Sequence, residues 1–150
     1  DAASCPNRLI DMGVQPFLIA SSLVGVLAQR LIQTLCNDCK VPDEPSKEEL
    51  FILGVDSLPT NATVFKANGC PKCNYRGYDS RTTVCELLLL SDEVRPLILA
   101  KSDASTVKKK AVQEGMVTMR QDAIQKVFRG ITSVNEVIRV INDEEESEIE

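Results

Sequence analysis

Apolar residues recur at helical spacing through the last third of the chain. The clearest stripe follows the i, i+3, i+4, i+7 pattern of a helix with one buried face, and it consists of Val134, Val137, Ile138 and Ile141. Ser133 and Glu136 have the spacing of a capping box that would begin this helix. Similar start signals predict three more helices, which would begin after Ser91, after Ser102 or Asp103, and after Thr118.

Two stretches favour strands over helices. Segment 82–90 is rich in β-branched and apolar residues, and segment 29–35 mixes β-branched with polar residues. For the second stretch a continuous helix over 16–35 is the alternative, and periodicity alone leaves both open. Two short helices are predicted upstream, one within residues 1–13 and one that begins at Pro16.

Segment 40–69 holds few apolar residues. Ser46 and Glu49 have the spacing of another capping box, which predicts a short helix that stops at Gly54. Residues 64–67 suit a short strand. Because so few apolar side chains bury little area, we expect a bound metal to hold this insert closed. We also expect it to be modular, so that its loss would leave the later helices folded.

Four of the six cysteines form two Cys-x-x-Cys pairs. The four are Cys36, Cys39, Cys70 and Cys73. Each pair can present two sulfurs from one tight turn, and four thiolates suit a tetrahedral Zn²⁺ ion. Such closed sites are structural, so we predict a structural zinc ion with these four residues as its ligands. Cys5 and Cys85 are expected to be small buried apolar side chains.

Composition narrows the possible functions. The chain has 150 residues, a formal net charge of −5 and no His. The acidic balance argues against nucleic acid as a partner, and without His there is no Ser-His-Asp triad. The sequence also has no phosphate-binding Gly-x-x-x-x-Gly-Lys-Ser/Thr loop and no Gly-rich dinucleotide loop. We therefore predict no catalytic and no cofactor-binding residue. Neither a leader peptide nor an apolar run of membrane-spanning length is visible.

Several charged residues are interpreted as structural. Glu86 interrupts an apolar run and is expected at a sheet edge or in an ion pair. The basic run 108–110 is expected to form a solvated face, with contact to a partner or a phosphate as the alternative. Arg76 and Arg81 are expected to be surface charges. The acidic segment 142–150 is predicted to be a disordered tail.

Several ordered motifs resemble those of the secretion-superfamily ATPases. Residues 1–23 are similar to the segment just after that family's histidine box, and Ala28-Gln29-Arg30-Leu31 resembles a family motif that precedes the first cysteine pair. Segments 69–88 and 114–137 match further family motifs, and the resemblance covers about residues 1–141. The tetracysteine insert is similar to that of the secretion and pilus-extension branch, whereas the retraction ATPases lack it. Ser80 stands where the family usually has Gly.

The resemblance implies the C-terminal portion of a type II secretion or type IV pilus assembly ATPase. The parent would be a RecA-like α/β motor, a cytoplasmic homo-hexamer docked on platform proteins of the bacterial inner membrane. ATP and Mg²⁺ would bind upstream of Asp1, where the P-loop, the acidic boxes and the histidine box are expected. This portion is therefore not expected to be active alone. It would be mostly α-helical, with a few strands and the small zinc insert.

The resemblance and the motifs together imply four segments. They are the end of the RecA-like domain (1–35), a zinc-binding subdomain (36–81), a helical subdomain (82–141) and the acidic tail (142–150). Gln29 and Arg30 match a family motif to which we assign no step. Arg95 aligns loosely with a segment that the retraction branch needs, which makes it a candidate for coupling.

Two other functions are weighed against this one. A stand-alone zinc-ribbon module would bind nucleic acid or protein, and the acidic balance and the absence of Trp disfavour it. A redox protein would need an oxidisable Cys-x-x-Cys pair at the start of a helix, whereas both pairs here resemble metal-binding knuckles.

Overall fold

A computed structural model of the chain describes residues 1–59 and 62–147. The described part mixes helices and strands. The helices are α1 (Cys5–Asp11), α2 (Pro16–Ser22), α3 (Lys47–Leu53), α4 (Arg95–Leu99), α5 (Ala104–Gln113), α6 (Met119–Phe128) and α7 (Val134–Ser147). The strands are β1 (Gly25–Leu35), β2 (Val41–Asp43), β3 (Val64–Lys66) and β4 (Tyr78–Leu89). Within these ranges no helix is both long and apolar enough to cross a bilayer.

The strands form two small sheets. β1 pairs with β4, and β2 pairs antiparallel with β3 so that Val41 faces Lys66. The residues that flank β1 and β4 also bond, since the Leu90 amide donates to the Val24 carbonyl at 3.0 Å. The strand predicted over 29–35 is thereby confirmed, and the alternative helix over 16–35 is wrong. β1 begins at Gly25, four residues earlier than predicted.

One compact unit, unit 1, consists of residues 1–29 and 85–119. Its core is formed by Ala2, Ala3, Ile19, Leu88, Leu90, Val94, Ile98, Val107 and Ala111. The predicted start of α5 is confirmed here, whereas α4 begins at Arg95 with Val94 as its N-cap rather than directly after Ser91, which lies in the preceding turn. The Ser91 hydroxyl accepts the Val94 amide at 3.1 Å, and the Asp103 carboxylate accepts the Thr106 amide at 2.9 Å. Asp103 rather than Ser102 is therefore the cap of α5.

The second unit, unit 2, takes residues 30–84 and the chain from Arg120 onward. Its buried residues include Ile32, Leu35, Leu53, Val64, Ala123, Val127, Val134, Val137 and Val140. The predicted capping box of α3 is confirmed, because Ser46 and Glu49 each accept the other's amide through their side chains. Gly54 ends that helix with φ of +72°.

The tetracysteine insert shares unit 2 with the last two helices. α3 and β3 of the insert both pack against α7. The two units therefore cut across the motif-based segments 36–81 and 82–141. The physical reason is that a small insert with few apolar residues gains burial by packing on a neighbouring amphipathic helix.

α7 extends further than predicted. It continues through Ser147, six residues into the segment 142–150 that the charge pattern assigns to a disordered tail. Glu is a good helix former, and extending an existing helix avoids the cost of a new nucleus. The last three residues of the predicted tail, 148–150, lie outside the described residues.

Candidate metal centre

The first Cys-x-x-Cys pair forms a tight turn directly after β1. Cys36 follows the last strand residue, and its carbonyl accepts the amides of Cys39 and Lys40 at 3.3 and 3.0 Å. Cys36 is completely buried, whereas Cys39 is half-buried. The end of a paired strand thus fixes the direction of the first sulfur, and the turn brings the second sulfur beside it.

The second pair lies in a knuckle with unusual backbone geometry. Cys70 leads into a 3₁₀ turn over Pro71–Cys73, after which Asn74 and Tyr75 have φ of 52° and 59°. Left-handed conformations at two successive non-glycine residues are uncommon. They turn the chain so that the amides of Cys70 and Gly77 both donate to the Cys73 sulfur at 3.2 Å.

Gly77 is required by space as well as by conformation. Its φ is +77°, and a Cβ built on it would lie 2.5 Å from the Cβ of Ala67. Its carbonyl accepts the amide of Cys36 at 2.9 Å. Gly77 therefore links the turns of the two cysteine pairs, residues 36–39 and 70–77, which are called the two knuckles below. Its amide donates to the Cys73 sulfur of one pair, and its carbonyl accepts the Cys36 amide of the other.

The four sulfurs of the predicted site come together. All lie within 4.8 Å of one another. The measured separations are 4.0 Å for Cys36–Cys70, 3.8 Å for Cys39–Cys73 and 3.8 Å for Cys70–Cys73. A metal–sulfur bond of about 2.3 Å in a regular tetrahedron requires sulfurs about 3.8 Å apart. The four cysteines thus lie close enough together to hold one metal ion, and the three separations given are near the tetrahedral value.

The pKa values of the cysteine thiols differ within the cluster. Burial raises the pKa of the Cys39 thiol to about 12. Burial also opposes ionisation of Cys73, but the amides of Cys70 and Gly77 outweigh it and lower its pKa to about 6. The backbone of Asp38 lowers the pKa of Cys36, yet burial and the neighbouring thiol of Cys70 raise it overall. A bound cation would therefore have to displace thiol protons.

An ion pair joins the two knuckles through residues that lie between the two cysteines of each pair. Lys72 Nζ lies 2.9 Å from both carboxylate oxygens of Asp38. The carboxylate of Asp38 raises the pKa of Lys72. Both side chains are well exposed, so we assign this pair a small stabilising effect.

The remaining cysteines lie in unit 1, apart from this cluster. Cys5 and Cys85 are half-buried, less enclosed than the predicted buried apolar side chains. None of the six cysteines, all of which are described, is in a disulfide.

The other candidate residues make local structural contacts. Gln29 is exposed. Arg30 donates to the Val140 carbonyl of α7 at 3.2 Å, and Arg95 donates to the Ala20 carbonyl of α2. Each arginine thus holds a helix of its own unit, and neither of these bonds assigns it a part in coupling.

Two residues of the basic run 108–110 form ion pairs while about a third of each side chain stays exposed. Lys108 Nζ lies 2.9 Å from the Asp1 carboxylate, and Lys110 Nζ lies 2.9 Å from Glu93. The neighbouring acidic residues raise the pKa of Lys110, mainly because its ammonium donates a hydrogen bond to the Glu93 carboxylate. The predicted solvated face is therefore present at the exposed Lys109 and in part at the two paired lysines.

Glu86 is a structural residue, and the ion pair predicted for it is present. Its side chain is 1% exposed, although its strand β4 is an edge strand because the β1–β4 sheet has only two strands in the described part of the chain. Its carboxylate accepts the amides of Ala2 and Met119 at 3.0 and 3.3 Å, and Lys108 Nζ lies 3.8 Å away. The sequence signal for this burial is the two-residue alternation of a strand. Side chains two positions apart lie on the same face, and Glu86 shares its face with the buried Leu88.

Glu136 also has a larger role than capping. The Ser133 hydroxyl accepts its amide at 3.2 Å, as a cap should. Its carboxylate, however, accepts the backbone amide of Gln33 at 2.9 Å and pairs with Arg139 at 2.8 Å. Nothing in the local sequence pattern indicates the contact with β1.

Comparison with known proteins gives a consistent result. A model of the family described as "Type II/IV secretion system protein" matches residues 1–139. The chain is 44% identical over 143 residues to "Type II secretion system ATPase E" of Vibrio cholerae, which is 95% of this chain and 28% of that protein. It is 41% identical over 139 residues to "Type IV pilus assembly ATPase PilB" of Thermus thermophilus, which is 92% of this chain and 16% of that protein.

A third relative agrees with these two. "Type II secretion system protein E" of Pseudomonas aeruginosa is 42% identical over 138 residues, or 92% of this chain and 27% of that protein. The chain therefore spans between 16% and 28% of the length of these relatives. Because the family match covers nearly the whole chain, the chain belongs to the type II/IV secretion system protein family.

Proposed function

We propose that this chain is the C-terminal portion of a cytoplasmic hexameric ATPase that powers type II secretion or type IV pilus assembly. We propose further that its tetracysteine centre binds one structural Zn²⁺ ion. The observation that carries the second statement is the spacing of the four sulfurs, which lie 3.8–4.0 Å apart in the three measured pairs. The first statement is supported by the family match over residues 1–139.

Zinc suits this donor set better than the hard cations Mg²⁺ and Ca²⁺ do. Four thiolates are soft ligands, which favour Zn²⁺ over Mg²⁺ or Ca²⁺. Four sulfurs fill all positions of a tetrahedral ion, so no position stays open for water or substrate. The two amides on the Cys73 sulfur stabilise a thiolate before any ion arrives. The centre is therefore a closed, structural one.

The proposed role of this portion in the motor is mechanical. The sequence lacks the loop that binds ATP phosphates, so ATP and Mg²⁺ would be held elsewhere in the assembled motor. The zinc-closed insert would offer a rigid surface for contact with neighbouring subunits or with inner-membrane platform proteins. Nucleic acid is not a proposed partner, since the chain is acidic overall.

The zinc proposal is tested by the metal content of the purified chain. We expect one zinc per chain by plasma mass spectrometry, and its loss in Cys70→Ser. Cys85→Ser is the matched control, because Cys85 lies in unit 1 outside the cluster, and it should keep the zinc. A wild-type chain without stoichiometric zinc, in which the four thiols react freely, would refute the proposal.

The motor proposal is tested by the complete reading frame and by the assembled protein. We expect a phosphate-binding loop upstream of Asp1, and ATP hydrolysis by the product of the whole frame but not by this chain alone. A reading frame without that loop would contradict the motor proposal and leave the zinc proposal standing.

A further inference from the structure

The turn between α6 and α7, residues 130–133, is held by residues next to the first cysteine pair. Lys40 follows Cys39, and its Nζ donates to the Gly130 carbonyl at 2.9 Å. Leu35 precedes Cys36, and its amide donates to the Ile131 carbonyl at 2.9 Å. The first knuckle thus contacts a turn that lies about ninety residues later in the chain.

The rest of the turn is held in the same way. The Thr132 hydroxyl donates to the carbonyl of Gln33 at 2.8 Å. The hydroxyls of Tyr78 and Ser133 lie 2.7 Å apart and share a hydrogen bond. Tyr78 directly follows Gly77, whose amide donates to the Cys73 sulfur. All four residues of the turn are therefore anchored to the chain around the two knuckles.

The turn is enclosed as well as hydrogen-bonded. Thr132 and Ser133 are 0% and 2% exposed. Gly130 has φ of +65°, and a Cβ built on it would lie 2.9 Å from the ring of Phe65 in β3. Lys40 Nζ lies 4.9 Å from the centre of the same ring, within range of a cation–π contact. The insert thus covers the turn from the side of β3.

The hydrogen bonds that hold the turn, called its anchors here, all depend on the positions of the two knuckles. One hydrogen bond between neutral groups adds little net stability, but several bonds that form together fix a backbone segment. Without a bound ion, the knuckles are joined by weak thiol contacts of 3.8–4.0 Å, the exposed Lys72–Asp38 ion pair and a few backbone bonds. Looser knuckles would release the anchors at Lys40 and Tyr78 at the same time. Ser133 also caps α7 through the Glu136 amide, so the start of α7 would loosen with the turn.

We infer that Lys40 and Tyr78 are positioning residues through which the metal centre orders the α6–α7 turn and the first turn of α7. This inference rests on the proposed zinc site. It makes the last helix of the chain dependent on metal, although none of its own residues is a metal ligand.

Hydrogen exchange measured by NMR tests the dependence on metal. The zinc-loaded chain is compared before and after removal of zinc with excess chelator. The amides of Leu35 and Glu136 report on the turn and on the α7 cap, and the Val107 amide of α5 is the reference in unit 1. We expect protection to fall at least tenfold at the first two amides and to change less than twofold at Val107.

Two conservative variants separate positioning from general unfolding. Lys40→Met and Tyr78→Phe remove only the bonding group, and the double variant should still bind one zinc per chain. We expect roughly threefold to tenfold faster exchange at Glu136 for each lost bond. Exposed Tyr75 in the same knuckle supplies the control Tyr75→Phe, and exposed Lys109 supplies Lys109→Met; neither should change exchange at Glu136.

The outcomes distinguish the two proposals. A chain that takes up no zinc would refute both. A chain that binds one zinc but shows unchanged exchange at Leu35 and Glu136 after chelation would refute this inference alone. If chelation unfolds all of unit 2, the inference is tested instead by hydrogen exchange in the zinc-loaded double variant. Faster exchange confined to residues 131–137 supports the inference, and unchanged exchange overturns it.

Discussion

The carboxylate of Glu136 accepts the backbone amide of Gln33 at 2.9 Å, although the two residues lie 103 positions apart. Glu136 is 4% exposed and also pairs with Arg139. The contact ties the first turn of α7 to β1 within unit 2. Because a buried carboxylate with charged and backbone partners is costly to disrupt, this contact should be visible in the stability of the protein.

We expect Glu136→Gln to lower the free energy of unfolding by about 1–3 kcal/mol at neutral pH. Chemical denaturation of the zinc-loaded protein measures this change. Glu44→Gln, at an exposed position in the insert, is the control and should be close to neutral. Equal effects of the two substitutions would contradict the role assigned to Glu136.

The same residue predicts a dependence on pH. Burial opposes ionisation of Glu136, but the hydrogen bond from Arg139 and the Gln33 amide outweigh it and hold its pKa below the ordinary 4.5. A lowered pKa means that the stabilisation is complete above about pH 4.5 and is lost as the pH falls through the lower, folded value.

The difference in stability between wild type and Glu136→Gln should therefore shrink as the pH falls below about 4.5. Both proteins lose metal at low pH, and this loss cancels when the stability of the variant is subtracted from that of the wild type at each pH. A difference that stays constant down to about pH 3 would contradict the assigned ionisation.

Gly77 offers a test of the knuckle geometry. We expect Gly77→Ala to destabilise the protein by about 1–3 kcal/mol more than Gly13→Ala does, and to weaken zinc binding. Both glycines have positive φ, but a Cβ at Gly13 meets nothing within 4 Å, whereas one at Gly77 would overlap Ala67. Thermal unfolding and competition with a chromogenic chelator measure the two effects. Equal stability of the two variants would show that the Ala67 contact imposes no constraint.

Glu86 should be required for the stability of unit 1. We expect Glu86→Ala to destabilise the protein by about 2–4 kcal/mol, since it leaves the buried amides of Ala2 and Met119 without their acceptor. Glu93→Ala, which removes an exposed partner of Lys110, should cost less than about 1 kcal/mol. Denaturation of the two variants under one condition tests the difference, and similar losses would argue against a special role for Glu86.

Loss of one metal ligand should affect the two units differently. The sequence predicts a modular insert, but α3 and β3 pack on α7. We therefore expect Cys36→Ser to broaden or shift the NMR signals of α6 and α7 while those of α4 and α5 in unit 1 stay unchanged. Unchanged signals from α6 and α7 would restore the modular view.

Local features of this chain could be predicted from its sequence, whereas long-range polar contacts could not. The caps at Ser46 and Asp103 depend on residues three positions away, so their spacing identifies them. The cysteine pairs are recognisable because metal ligands recur at fixed spacing. Glu136 and Gln33, or Glu86 and Ala2, meet only after the chain has folded, and no periodic pattern carries that information.

The most direct test of the central claim is X-ray absorption at the zinc edge of the purified chain. We expect a first coordination shell of four sulfurs at about 2.3 Å, as in closed tetrathiolate sites. A chain without bound zinc, or a first shell that contains oxygen or nitrogen in place of one or more of the four sulfurs, would contradict the proposed centre.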